Sequence, residues 1–240
     1  MNLAIDAGNT ATKYALFDGD ELIEYKVASN QSEVLSLIED VKIKNVIIGS
    51  VGHNGVHYRN LIEDKSKVLF LDGNTPIPFT NQYANPAKLG VDRLAGVSAA
   101  INLFPNKPIL VIDIGTCITF DFIDAEKKYH GGAISPGVSL RFKSMHNFTA
   151  ALPLVEQIEW PSSWVGNDTN SCLLNGVLIG IEAEINYQIS LYITKYPELQ
   201  VVLCGGSISL FETKIKAPIF VCPNLLLMGL NSILRYNVKK

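Results

Sequence analysis

The chain has 240 residues, 48% hydrophobic and 18% charged, an ordinary globular composition with length for one large domain or two small ones. Its net charge of -3 gives no electrostatic footprint for nucleic acid, and its longest apolar stretch, residues 172–181, is broken by Asn175 and too short for a membrane span. Four cysteines without CxxC spacing and four histidines that do not cluster with them argue against zinc and for reduced cysteines in a cytoplasmic protein.

The chain enters a strand almost at once, with no basic segment or cleavage site, so no signal or transit peptide is expected. Residues 2–6, 13–18 and 21–28 are apolar or alternating runs separated by Gly and Asp turns, and read as a three-strand meander. Helical spacing over 32–39 precedes a buried strand at 45–50. A polar loop over 52–60 leads into a short helix, and 67–71 is a short strand. Residues 72–85, with two Pro, three Asn and a Gly, form an irregular loop of a length that usually carries function. The spacing of Leu94, Val97, Ala100 and Ile101 predicts a helix over 91–104, stopped by Pro105.

After Pro108 the pattern starts again. Strands are expected at 109–113, 118–123 and 128–134, and helices at 137–150 and 169–195. A buried strand at 201–203 runs into Cys204-Gly205-Gly206-Ser207; a last strand at 219–221 and a helix at 225–236 close the chain. The order, a β-meander followed by α/β, occurs twice. It divides the chain into residues 1–107 and 108–240.

The repetition extends to a phrase. Ile5-Asp6-Ala7-Gly8-Asn9-Thr10 is echoed by Ile112-Asp113-Ile114-Gly115-Thr116, each an apolar strand ending in Asp-x-Gly before a second strand that runs out to an Asp. A single copy reads first as a commonplace hairpin turn; the second copy reverses that balance and suggests two half-molecules, each offering a polar loop to a shared ligand, as in a two-lobed phosphotransferase. Asp6 at a strand end can hold Mg²⁺–phosphate through water, Gly8 lets backbone approach a phosphate, Asn9 and Thr10 add donors, and Lys13 can place a charge on a phosphate oxygen. No GK[ST] follows, so this is not a Walker A loop. Gly205-Gly206 is either a tight strand–helix connection or a contact with a phosphorylated ligand. Asp92-Arg93 is either an N-cap arrangement or a carboxylate that accepts a hydroxyl proton beside a guanidinium that binds an anion.

The ordered set of the two Asp-x-Gly phrases, Gly90-Val91-Asp92-Arg93, Gly131-Gly132…Pro136-Gly137, Gly166-Asn167-Asp168-Thr169 and the closing Leu225–Leu230 resembles the type III pantothenate kinases over nearly the whole chain. The resemblance implies an α/β protein of the actin-like ATPase (ribonuclease-H-like) fold, two similar domains with ATP in the interdomain cleft. It implies phosphorylation of pantothenate, the first step of coenzyme A biosynthesis, by a homodimer that uses ATP, Mg²⁺ and a monovalent cation, K⁺ or NH₄⁺. By analogy Asp6, Gly8, Asn9, Thr10 and Lys13 form the first phosphate loop, with Asp6 organising Mg²⁺. Thr116 contacts ATP in the second loop, Asp113 holds the monovalent cation, and Gly205 and Gly206 pack near the nucleotide. Tyr83, Gly90, Val91, Asp92, Arg93 and Thr169 line the pantothenate site, Asp92 being the base. Two departures stand out: Cys117 where Ala is commoner, and Val51-Gly52-His53-Asn54 where a Val-Pro turn is frequent. Another small-molecule kinase of this fold, acting on a sugar or acetate, and a non-catalytic transcriptional accessory are the competing readings; retention of Asp6, Asp92 and Asp113 speaks against the latter.

Overall fold

The structure, a computed structural model, describes residues 1–8, 11–50, 58–62 and 67–238. It groups into two compact units: Met1–Asn106 with Ile123–His130 and Asn224–Lys240, and Lys107–Phe122 with Gly131–Pro223.

The first unit is built on strands β1 (Asn2–Ala7), β2 (Thr12–Asp18), β3 (Glu21–Val27), β4 (Asn45–Ser50) and β5 (Val68–Phe70), in the order β3-β2-β1-β4-β5. The β1–β2 and β2–β3 pairs are antiparallel; β1–β4 and β4–β5 are parallel. Because side chains alternate across a strand, each face of β1 has its own partner. Leu3, Ile5 and Ala7 join a cluster with Val34 and Ile38 of helix α1 (Gln31–Glu39). Ala4 joins the other, with Ala95 of α2 (Val91–Leu103) and Leu227, Leu230 and Leu234 of α6 (Leu225–Val238). Asn30 caps α1 by accepting from the Glu33 amide at 3.0 Å, and the Tyr14 hydroxyl donates to Glu33 at 2.7 Å.

Helix α2 is buried continuously from Arg93 to Ile101, so its apolar face is wider than the spacing of Leu94, Val97, Ala100 and Ile101 suggests. Its closeness to α6 depends on Gly229: a Cβ there would lie 1.8 Å from the Ala95 carbonyl oxygen. Gly49 gives way to Leu230 in the same fashion, at 2.8 Å. Buried Asn231 of α6 donates to the Gly19 carbonyl at 2.9 Å and accepts from Asn2 at 3.1 Å. These contacts explain why the last helix groups with the first unit, whereas a division into consecutive halves assigns it to the second.

The second unit repeats the strand order. Strands β7 (Ile109–Ile114), β8 (Cys117–Ile123), β9 (Lys128–Pro136), β10 (Gln200–Cys204) and β11 (Phe220–Val221) lie as β9-β8-β7-β10-β11. Leu110, Ile112 and Ile114 face a core completed by α3 (Val138–Phe148), α4 (Thr169–Lys195) and the short α5 (Ile208–Phe211). A capping box starts α4: Asp168 accepts from the Ser171 amide at 3.0 Å and the Ser171 hydroxyl accepts from the Asp168 amide at 3.1 Å. The β8–β9 hairpin tip, residues 123–130, groups with the first unit, where the two-residue β6 (Thr80–Asn81) pairs with Lys128 and Tyr129. The loop expected over 72–85 thus contains a short strand.

Candidate active site

In the first unit the site begins with the alternation of β1. Asp6 shares the face of Ala4, the one covered by α2 and α6, and at that level the sheet places Lys13 on one side and Gly49 on the other. Asp6, Gly49, Val91, Asp92, Ala95, Leu226 and Leu230 line one small cleft. Burial raises the Asp6 pKa to about 6; Lys13 opposes that rise and the Asp92 carboxylate adds to it. A carboxyl whose charge is disfavoured by its surroundings is one that an added cation would favour, which suits a metal–phosphate partner.

Asp92 stands in the first turn of α2 but does not cap it: the N-cap is Gly90, without a side-chain cap bond. Its Oδ1 accepts from the Arg93 amide at 2.9 Å and lies 2.5 Å from where a Cβ at residue 90 would sit, so a side chain there would push the carboxylate aside. Arg93, 7% exposed, holds its guanidinium 5.7 Å from the Tyr83 ring centroid. The Tyr83 ring lies 6.4 Å from buried Tyr129, and the Tyr83 amide donates to Asn81 at 2.9 Å. Six predicted residues, Asp6, Lys13, Tyr83, Val91, Asp92 and Arg93, thus belong to one connected neighbourhood, with Gly90 beneath it. Gly8 ends the described part of the first loop; Asn9, Thr10 and the 51–54 departure lie outside the described residues, as does most of the 52–60 loop.

The second unit presents a backbone-rich counterpart. Asp113, at the end of β7, pairs in register with Cys204, and its Oδ1 lies 2.4 Å from where a Cβ at Gly205 would sit. Gly205 has a φ of +106, which only glycine adopts readily. Gly137 is wedged against the second loop; its amide donates to the Thr116 carbonyl at 3.0 Å, and a Cβ there would lie 2.2 Å from the Gly115 oxygen. Gly206 faces open space, and Thr169 is the first residue of α4. Cys117 is a free, half-buried cysteine at the start of β8. Gly49, Gly137 and Gly229 carry no side-chain chemistry. Their place in the site follows from contacts between residues remote in sequence.

Two units of one strand order, each ending its first strand in Asp-x-Gly, define the actin-like ATPase fold. A ROK hexokinase from Thermus thermophilus shares that fold at a TM-score of 0.55 and 14% identity, with 98% of this chain and 99% of that one covered. A Campylobacter jejuni protein that carries the name of a Baf family transcriptional activator superposes at a TM-score of 0.65 and 20% identity, covering 99% and 100%. The type III pantothenate kinase family model matches residues 2–191. A type III pantothenate kinase of Bacteroides fragilis is 46% identical over 241 residues, covering 99% of this chain and 98% of its own. The chain belongs to the type III pantothenate kinase family.

Proposed function

We propose that the protein transfers the γ-phosphoryl group of ATP to pantothenate, with Asp92 as the general base. The observation that carries the reading is the meeting of Asp6 and Asp92 in one cleft, with Arg93 and Tyr83 beside them. Asp92 would orient the acceptor hydroxyl and take its proton as the oxygen bonds the γ-phosphorus and ADP departs. Arg93, held against Tyr83, is a bidentate partner for the pantothenate carboxylate. Val91, which lines that cleft, is assigned to the same substrate, as is Thr169 by the family resemblance.

Among the described residues no cluster of three or more acidic, Cys or His side chains could cage a metal. A single carboxylate, Asp6, fits Mg²⁺ bound mainly through phosphate and water. That ion would neutralise charge on the moving phosphoryl group, while Lys13, Asn9 and Thr10 bind phosphate oxygens. Asp113 and the carbonyls near Gly205 supply hard oxygen donors suited to K⁺ or NH₄⁺, and Thr116 and Gly206 belong to the nucleotide side. The protein would work as a cytoplasmic homodimer whose partner subunit completes the pantothenate site. Among the described residues no helix is long and apolar enough to cross a membrane.

Incubation of the purified protein with ATP, Mg²⁺, K⁺ and pantothenate tests the reading. Phosphopantothenate and ADP in equal amounts are expected; ATP consumption with a sugar or acetate instead would replace pantothenate as substrate. Asp113→Asn is expected to abolish the dependence on K⁺, read from rates with and without it; an unchanged dependence removes Asp113 from the cation site.

A further inference from the structure

The second loop is supported from behind by an arginine to which no role has been given above. Arg141 lies one turn into α3, and its Nε donates to the Pro136 carbonyl at 2.8 Å. Its Nη2 pairs with Glu184 in the middle of α4. The pair is roughly three-quarters buried on both sides, the side chains being 22% and 26% exposed. Gly180, one turn before Glu184, lies beside the guanidinium, and a Cβ there would meet Nη1 in ordinary contact at 4.0 Å.

Pro136 precedes Gly137, and Gly137 is the residue wedged against Gly115 and Thr116. The connection is short: Glu184 fixes Arg141, Arg141 fixes the Pro136 carbonyl, and the next residue buttresses the Gly115-Thr116 turn. The planar fork suits this task, since one guanidinium addresses a carbonyl and a carboxylate at once. Lysine, a point charge, reaches one of them well.

We infer that Arg141, anchored by Glu184, is a positioning residue for the nucleotide loop at Thr116 and sets the affinity for ATP without touching it. The inference rests on the assignment of that loop to ATP. Removing the side chain frees the Pro136-Gly137 turn to shift, and with it the Thr116 carbonyl that accepts from the Gly137 amide.

The test measures binding of ATP and of pantothenate separately, by calorimetry, for the wild-type protein, Arg141→Ala, Arg141→Lys and Glu184→Gln. Arg141→Ala is expected to weaken ATP binding about tenfold, which is about 1.4 kcal/mol, and to raise the KM for ATP in parallel. Its pantothenate affinity should stay within about twofold and its kcat within about threefold. Arg141→Lys should recover part of the ATP affinity, and Glu184→Gln, which keeps an acceptor for the guanidinium, most of it. ATP affinity within twofold of wild type in Arg141→Ala overturns the inference, as does an equal loss of both ligands, the mark of a general packing role. Should Arg141→Ala fail to fold, Arg141→Lys decides: wild-type ATP affinity there overturns the inference. If the wild-type protein binds no ATP at all, the assignment of the loop has failed instead.

Discussion

The Asp6 and Asp113 loops occupy the same place in the same strand order, yet their surroundings differ in kind. Asp6 is framed by side chains: Lys13 across one strand pair, Asp92 from α2, and the cover of Leu230 over Gly49. Asp113 is framed by backbone: the tight turn at Gly205, the Ile114 carbonyl and the neighbouring Gly115. A duplicated scaffold therefore fixes where a carboxylate stands, whereas the elements added around it fix what that carboxylate is for. In the first unit the addition is the α2–α6 pair; in the second it is the Gly205 turn and the Gly137 wedge.

Four experiments would break or sharpen this contrast. The largest effect is expected at Asp92, the carboxylate that α2 brings into the Asp6 cleft. Asp92→Asn should lower turnover by about 10²–10⁴-fold and leave ATP binding nearly intact; turnover within a few-fold of wild type would remove it as the base.

Next comes Asp6, through pH. Its pKa rises from 3.8 in the unfolded chain to about 6 in the fold. The folded state therefore holds a proton that the unfolded state has released, and stability declines as pH rises from about 4 to about 6, levelling above that. Asp6→Asn cannot ionise and lacks the decline. It should gain on wild type across that window, by on the order of 3 kcal/mol at pH 7, while losing activity. Denaturant titrations from pH 4 to pH 8 measure it; a difference that does not change with pH would contradict the burial argument.

The third addresses the backbone frame. Gly205→Ala places a Cβ against Asp113 at a φ of +106 and should destabilise by about 1–3 kcal/mol. Gly206→Ala meets nothing within 4 Å and should change stability by no more than about 0.5 kcal/mol. Urea unfolding of the two variants separates a turn that needs glycine from one that tolerates a side chain. The smallest effect belongs to the exposed Lys128–Glu126 pair at the hairpin tip, 2.5 Å apart. Lys128→Ala should leave the urea midpoint almost where it is in the wild type; a clear drop would make the tip a structural joint.

Much of this was legible in sequence because local rules suffice for it. Alternation and turn residues delimit β1 to β3 and β7 to β9, and the repeated Asp-x-Gly phrase exposes the duplication. The meeting of Asp6 with Asp92 was harder to see. It depends on which face of β1 carries Ala4 and Asp6, and on α2 covering that face. The placement of α6 was out of reach, because an apolar helix does not announce which of two similar sheets it covers. Gly229 and Gly49 are local traces of it, and a glycine alone says little about what presses against it. Arg141 falls in the same class: nothing in Leu140-Arg141-Phe142 indicates a carbonyl five residues back and a glutamate on another helix.

The position of α6 also bears on how the chain is made. Leu227, Leu230 and Leu234 complete the cluster over Ala4, Ala15 and Ile47, yet they follow that sheet's first four strands late in the order of synthesis. Strands β1 to β4 emerge roughly 170 residues earlier, a delay of roughly 10–35 s at bacterial or eukaryotic synthesis rates. Throughout that interval one apolar face of the nascent sheet lacks its cover. The Asp6–Asp92 cleft, lined in part by Leu226 and Leu230, is completed only once α6 has been made. A message truncated before residue 225 would then yield a chain that has both loops and a sticky, unfinished first unit.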